Sequence, residues 1–169
     1  MRIPMPRGPA SCRICPPPRQ RGAAAIEFAL LFLLFFVLFY ALVSYAIAML
    51  MVTGFEHAAL GGARAAIAVD PGAFSGGTYI AEGVAPRVRE SVARSLDWLP
   101  PAAKARVLGE GNTNVGVAYG AGVLTVRVRY PDYAAQPLLP VLVVPLIGPV
   151  PRLPEDLEGQ AVVELVPSP

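Results

Sequence analysis

The sequence predicts an α+β protein in which a long N-terminal transmembrane helix continues outside the membrane. The helix leads into a small extracytoplasmic domain with one amphipathic helix and a short antiparallel sheet. Three observations predict this fold class: residues 23–52 are almost entirely apolar, apolar residues recur four apart over residues 84–96, and apolar and polar residues alternate over residues 123–130. The 169 residues leave room for one small domain besides an anchor, but not for two full domains.

The apolar stretch is long enough to cross a bilayer. Residues 23–52 contain a single charged side chain, Glu27. At about 1.5 Å per residue, a helix of this length reaches roughly 45 Å, whereas the hydrocarbon core is ~30 Å thick. A cleavable secretory signal has an apolar core of only about seven to fifteen residues. The stretch is therefore predicted to be a transmembrane helix with length to spare.

Charge is distributed unevenly along the chain. Residues 1–22 contain five arginines and no acidic residue, and the rest of the chain has nine Lys or Arg against twelve Asp or Glu. Because basic residues beside a span tend to remain in the cytoplasm, the N-terminus is predicted to be cytoplasmic and the C-terminal domain periplasmic or extracellular. The alternative, a basic arm for nucleic acid, is disfavoured because the segment is short and adjoins the span. No nucleic-acid partner is expected.

Metal, cofactor and catalytic signals are weak. Cys12 and Cys15 form one CxxC pair with no second pair and no nearby His, and a cytoplasmic disulfide is not expected. His57 is the only histidine and is expected to be solvated. Residues 109–116, GEGNTNVG, lack the Lys and Ser/Thr of a phosphate loop, and no GxSxG motif occurs. No cofactor and no enzymatic activity are expected; a membrane-tethered hydrolase with His57 as its base is the least favoured hypothesis.

The start of the apolar stretch carries the most informative pattern. An acidic residue within a span costs roughly 2–3 kcal/mol, less near its edge, so the simplest interpretation is that Glu27 reaches towards the nearby interface. However, the basic segment ends in Gly22, three alanines follow, and then come Ile26, Glu27 and Phe28. Gly22 with Glu27-Phe28 resembles the processing junction of type IV prepilins, and the wider stretch RGAAAIEFALLF resembles the TadE-like minor pseudopilins of tight-adherence (Tad, or Flp) pilus systems. HAALGGARAAI, residues 57–67, resembles the stretch that follows the membrane helix in those proteins.

The resemblance implies a processing event and a set of partners. A prepilin peptidase would cut between Gly22 and Ala23, so that Glu27 becomes the fifth residue of the mature chain, followed by Phe28. Glu27 would then pair with the N-terminal amine of a neighbouring subunit during pilus assembly. The implied partners are the prepilin peptidase, other pilins or pseudopilins, the Tad inner-membrane assembly platform and membrane lipid. TadE and TadF types are not distinguished, and the alternative is an uncleaved single-pass anchor that presents an envelope interaction domain.

Elementary physics supports the implied pairing. An acid and an amine in lipid each relieve the desolvation of the other. The small side chains of residues 23–25 allow helices to approach closely at this point.

The chain is accordingly divided into four parts: a removable leader, residues 1–22; the transmembrane helix, 23–52; a helix extension, 53–70; and the extracytoplasmic α+β domain, 71–169. The extension is predicted to bend near Gly54, Gly61 and Gly62 and to stop at the Asp-Pro-Gly sequence of residues 70–72.

Within the domain, a Gly-rich loop over residues 71–78 precedes an amphipathic helix over 86–98. A short strand is predicted over 104–108, a hairpin over 115–119 and 123–130, and a last strand over 161–166. Residues 131–154 contain seven prolines around the run LLPVLVVPLIGP. They are predicted to form an extended loop over the sheet, with an exposed apolar surface that meets a partner as the alternative.

Overall fold

The computed structural model describes residues 21–74, 78–144 and 148–165. The cysteine pair of the leader lies outside the described residues. The helices are α1 (Arg21–Ile67), α2 (Ala85–Ser95) and α3 (Pro101–Leu108), with a π-helical turn, Tyr79–Val84, leading into α2. The strands are β1 (Gly116–Gly120), β2 (Val123–Tyr130), β3 (Leu142–Val144), β4 (Gly148–Val150) and β5 (Leu157–Glu164). The predicted α+β class, with a long apolar helix before a small domain, is confirmed.

The described residues divide into two compact units between Phe36 and Val37, and α1 contributes to both. In the first unit, all side chains described between residues 22 and 36 are exposed, among them Leu30, Leu34 and Phe35. A helix this apolar and this exposed is unlike the core helix of a soluble domain. Within the described residues it is the one helix long and apolar enough to cross a membrane.

In the second unit, the remainder of α1 is the central core helix. One face is buried from Ser44 onward, at intervals of three or four residues, and includes Met51 and Phe55, which are fully buried. The packing of the domain therefore begins within the predicted 23–52 segment rather than after it. This accounts for an apolar stretch longer than a bilayer requires, because its last turns contribute to a protein core.

Glycines on α1 mark close contacts with other elements. The helix is continuous through Gly54, Gly61 and Gly62, and the bend expected near them stays a prediction. A Cβ atom at Gly62 would lie 2.9 Å from a methyl group of Val92, and one at Gly54 would lie 2.6 Å from the ring of Trp98. The missing side chains let α2 and the turn after it approach the helix axis.

The three-stranded antiparallel sheet has the order β1-β2-β5. The predicted hairpin and its alternation are confirmed, since Leu124, Val126 and Val128 are fully buried on one face of β2. The sheet lies on α1 at Gly159 of β5, where a Cβ atom would come within 2.3 Å of the backbone nitrogen of Glu56.

The amphipathic helix is also confirmed, because every member of the predicted stripe is fully buried: Val84, Val88, Val92 and Leu96. The strand predicted over 104–108 is wrong, since these residues belong to α3. Pro101 is the first residue of α3, where a backbone N–H would have no hydrogen-bond partner within the helix, so its absence in proline does not destabilise the helix. Ala103 and Val107, four residues apart, are buried, and Gly109, with φ of 69°, follows the last turn.

The Pro-rich segment is more ordered than predicted. Instead of a plain extended loop, residues 131–154 include the antiparallel hairpin β3–β4, in which Leu142 pairs with Val150 and Val143 with Pro149. The last strand, β5, begins at Leu157, four residues before the predicted start. Residue 166, the predicted end of that strand, lies outside the described residues.

Candidate functional site

The four residues singled out by the sequence lie together at the beginning of α1. The helix begins at Arg21, so Gly22 and Ala23 belong to its first turn, and Glu27 and Phe28 follow one turn later. All four residues are exposed. A Cβ atom at Gly22 would meet no atom within 4 Å. In the described part of the chain, therefore, nothing in the fold requires glycine at this position.

Glu27 is the single acidic residue in the apolar part of α1. Its side chain is exposed, and the described residues supply it with neither a hydrogen bond nor an ion pair. An acid in such surroundings is strongly favoured to take a cationic or hydrogen-bonding partner from another molecule once water is removed.

Phe28 begins a row of aromatic rings on the outside of α1. Its ring stacks on Phe32 with centroids 6.1 Å apart, and Phe32 stacks on Phe36 at 6.3 Å. Phe28 itself is 69% exposed. Phe28, Phe32 and Phe36 are spaced four residues apart in the sequence, so this row of rings could have been predicted from the sequence. Together these residues present an apolar ridge next to the acid, suited to packing against lipid or another helix.

A separate cavity of about 710 Å³ lies near the end of α1, in the second unit. Its lining combines acidic and basic side chains: Asp70, Glu82, Arg87, Glu90 and Arg94. Among the described residues, no histidine or cysteine lines it, and His57 is exposed elsewhere on α1, as expected. Mixed charges on an open cavity do not specify a ligand. No cluster of three or more His, Cys, Asp or Glu that could hold a metal is found among the residues that the structure describes.

The outer face of the sheet carries exposed ion pairs. Arg127 pairs with Glu158 at 2.8 Å, and Arg129 pairs with Asp156. The hydrogen bond from Arg129, assisted by the backbone N–H of Asp132, lowers the pKa of the Asp156 carboxyl. Exposed pairs of this kind contribute little to stability. They form a polar outer surface rather than a reactive site.

The described part of the chain defines a class of protein in which one helix able to anchor the chain in a membrane precedes a small α+β domain. Within that class, residues 22–64 match the family model described as TadE-like protein. The resemblance found in the sequence is thereby confirmed over this segment, which contains all four site residues. Searches of curated proteins and of solved structures found no significant match. The family match ends inside α1, so it covers most of this helix and does not extend over α2, α3 or the strands.

Proposed function

We propose that this protein is a minor pseudopilin of a Tad (Flp) pilus system, anchored in the bacterial inner membrane, processed by a prepilin peptidase and assisting pilus biogenesis, adherence or secretion. One observation carries the proposal: the TadE-like match begins at Gly22 and contains Glu27 on an exposed apolar helix. The basic leader favours a cytoplasmic N-terminus. The outer domain is then periplasmic or extracellular.

In the proposed processing step, water hydrolyses the peptide bond between Gly22 and Ala23. Gly22 keeps the new carboxylate on the released leader, and Ala23 receives the new amine, which is protonated at neutral pH. The exposure of both residues at the end of the helix suits recognition by a peptidase in the membrane.

In the proposed assembly step, Glu27 pairs with the amine of Ala23 from a neighbouring subunit. Burying either charge alone in lipid is costly, whereas together they are partly compensated. The described residues give Glu27 no competing partner within the chain, and the apolar ridge that begins at Phe28 supplies packing beside the pair.

The processing step is tested by determining the N-terminus of the protein from cells with and without a prepilin peptidase. An N-terminus at Ala23 that depends on the peptidase is expected. Gly22→Ala should impair processing and accumulate the uncut form; a Cβ atom at this position meets no atom within 4 Å, so the loss would arise at the peptidase rather than in the fold. Gly61→Ala, a glycine substitution elsewhere on α1 with only an ordinary contact at 3.5 Å, should be cut normally. An intact leader on wild-type protein would support the uncleaved anchor instead.

The assembly step is tested with Glu27→Gln, which keeps the shape of the side chain and removes its charge. Pilus yield should fall about tenfold or more, since one tenfold change corresponds to ~1.4 kcal/mol of pairing energy. Glu56→Gln is the matched control, because Glu56 is also an exposed glutamate of α1 but lies beyond the predicted span. Equal pilus yields from the two variants would contradict the pairing role.

The proposed orientation can be tested with the natural cysteines. Cys12 and Cys15 lie in the leader, so a membrane-impermeant thiol reagent should not label uncut protein in intact cells. Lysis should expose both thiols. Labelling before lysis would place the leader outside and overturn the proposed topology.

A further inference from the structure

The segment between Asp132 and Arg152 has an unusual composition for a water-facing part of an exported domain. Its 19 residues, 133–151, contain no charged side chain. The structure describes 133–144 and 148–151 of it, including both strands of the hairpin β3–β4.

The hairpin has two different apolar faces. Leu142 and its partner Val150 are half-buried, whereas Val143 and its partner Pro149 are exposed on the opposite face. Val143 is 77% exposed, more than any other large apolar side chain in the described residues. Val143 and Pro149 thus form a small outward apolar face on a hairpin whose sequence carries no charged side chain.

The base of the hairpin is tied to α1 at a defined position. The hydroxyl of Tyr40 donates to the carbonyl of Pro140, just before β3. The hydroxyl of Tyr45 donates to the carbonyl of Arg152, just after β4, at 2.8 Å. Leu138 and Leu153, outside these two points, pack against the core. The hairpin is therefore held beside residues 40–45 of the helix.

This position lies within the predicted 23–52 segment, at the point where a span of bilayer thickness that begins at Ala23 would end. A bilayer core takes about 20 helical residues, so a span that begins at Ala23 reaches its outer interface near residue 43. Tyrosine is enriched at that depth because one end of its ring is apolar and the other polar. On the same helix, Leu38 and Leu42 are 69% and 67% exposed and suited to lipid.

We propose that the hairpin β3–β4 is a second membrane-contacting element, which places Val143 and Pro149 in the outer interface of the bilayer beside α1. Lipid is the favoured occupant because the surface is apolar and uncharged, and because the hairpin is held beside the stretch of α1 in which Leu38 and Leu42 are exposed. Arg152, exposed at the base, is placed to meet lipid phosphate. Two attachment points, the helix and the hairpin, would restrict the tilt and rotation of the outer domain over the membrane. The inference rests on the membrane anchor of the proposed function.

The experiment uses the full chain with Cys12→Ser and Cys15→Ser, reconstituted in vesicles of phosphatidylethanolamine and phosphatidylglycerol. A fluorophore is attached at Val143→Cys and, in separate samples, at Val162→Cys and Leu31→Cys. Val162 is the matched control: it is an exposed valine on a strand, 57% exposed, in the three-stranded sheet. Leu31, 60% exposed on α1, reports the anchor itself. Each label is quenched with nitroxide lipid and, separately, with aqueous iodide.

The Val143 label is expected to be quenched by shallow nitroxide lipid at least threefold more than the Val162 label, and to be protected from iodide. Iodide quenching equal to that of Val162 would overturn the proposal. Protection from both quenchers, with cross-linking between two Val143→Cys chains, would also overturn it and assign the surface to a second copy. If either of these results is obtained while nitroxide lipid quenches the Leu31 label, the membrane anchor is supported and only the hairpin proposal fails. An unquenched Leu31 label would overturn both.

Discussion

Replacing Gly159 by alanine should force the sheet away from α1. Gly159 lies on β5 against the helix backbone, and its new Cβ would be 2.3 Å from the nitrogen of Glu56 and 2.4 Å from the carbonyl carbon of Phe55. These neighbours are backbone atoms of a long helix and cannot rotate aside. Overpacking against movable side chains typically costs 1–3 kcal/mol. Because the two nearest neighbours here are backbone atoms, we expect a loss at the upper end of this range, about 3 kcal/mol of unfolding free energy. This corresponds to a decrease of roughly 10 °C in Tm for a domain of this size.

The measurement is thermal unfolding of the full chain in detergent micelles, followed by tryptophan fluorescence. Trp98 is the only tryptophan in the sequence and covers Gly54 of α1, so its emission reports whether the domain remains packed on the helix. Gly120→Ala is the control, because a Cβ atom there meets no atom within 4 Å. Its Tm should change little or rise slightly, since alanine lowers the entropy of the unfolded chain. A Tm for Gly159→Ala within about 2 °C of the wild type would refute the close contact between β5 and α1.

Three further outcomes follow from the packing and the pKa shifts. Gly62→Ala should lower the unfolding free energy by only about 1 kcal/mol in the same assay, because its 2.9 Å neighbour is a side-chain methyl group of α2 that can yield; a loss as large as for Gly159→Ala would contradict this. The hydrogen bond from Arg129 lowers the pKa of Asp156, so its stabilising effect is present above the unfolded pKa of about 4 and lost as pH falls through the lower folded value. In urea titrations, the unfolding free energy should fall less steeply with decreasing pH for Asp156→Asn than for the wild type, and an identical dependence on pH would contradict the lowered pKa. Burial raises the pKa of Tyr133. The stabilising contribution of its neutral hydroxyl is therefore fully present below the unfolded pKa of about 10 and is lost as pH rises through the higher folded value. Tyr133→Phe should remain stable at pH values where the wild type weakens.

The site and the larger periodic elements could be predicted from the sequence. The Gly22–Ala23 junction and Glu27 stand out because each contrasts with its neighbours, and the TadE-like match now covers that region. The stripe ending at Leu96 and the alternation around Val126 were visible because burial on one side of a regular element imposes its period on the sequence.

The structure corrected the short elements. Residues 104–108 resembled a strand because five residues carry too little periodicity to separate strand from helix. In the structure Pro101 starts a helix there and burial of Val107 stabilises it. The hairpin β3–β4 was not predicted because proline suggested a loop, while its strands depend on pairing with each other and on the two tyrosines of α1.

By itself, the sequence determined the anchor, its expected processing point and the presence of an α+β domain, because hydrophobicity, charge and period are local properties of a chain. Only the tertiary structure decided where the anchor becomes part of the domain. Ser44 and Met51 look like further membrane residues in the sequence, yet one face of the helix there is covered by protein. The choice between lipid and protein core depends on long-range contacts such as that between Gly159 and Phe55, which apolar composition does not encode.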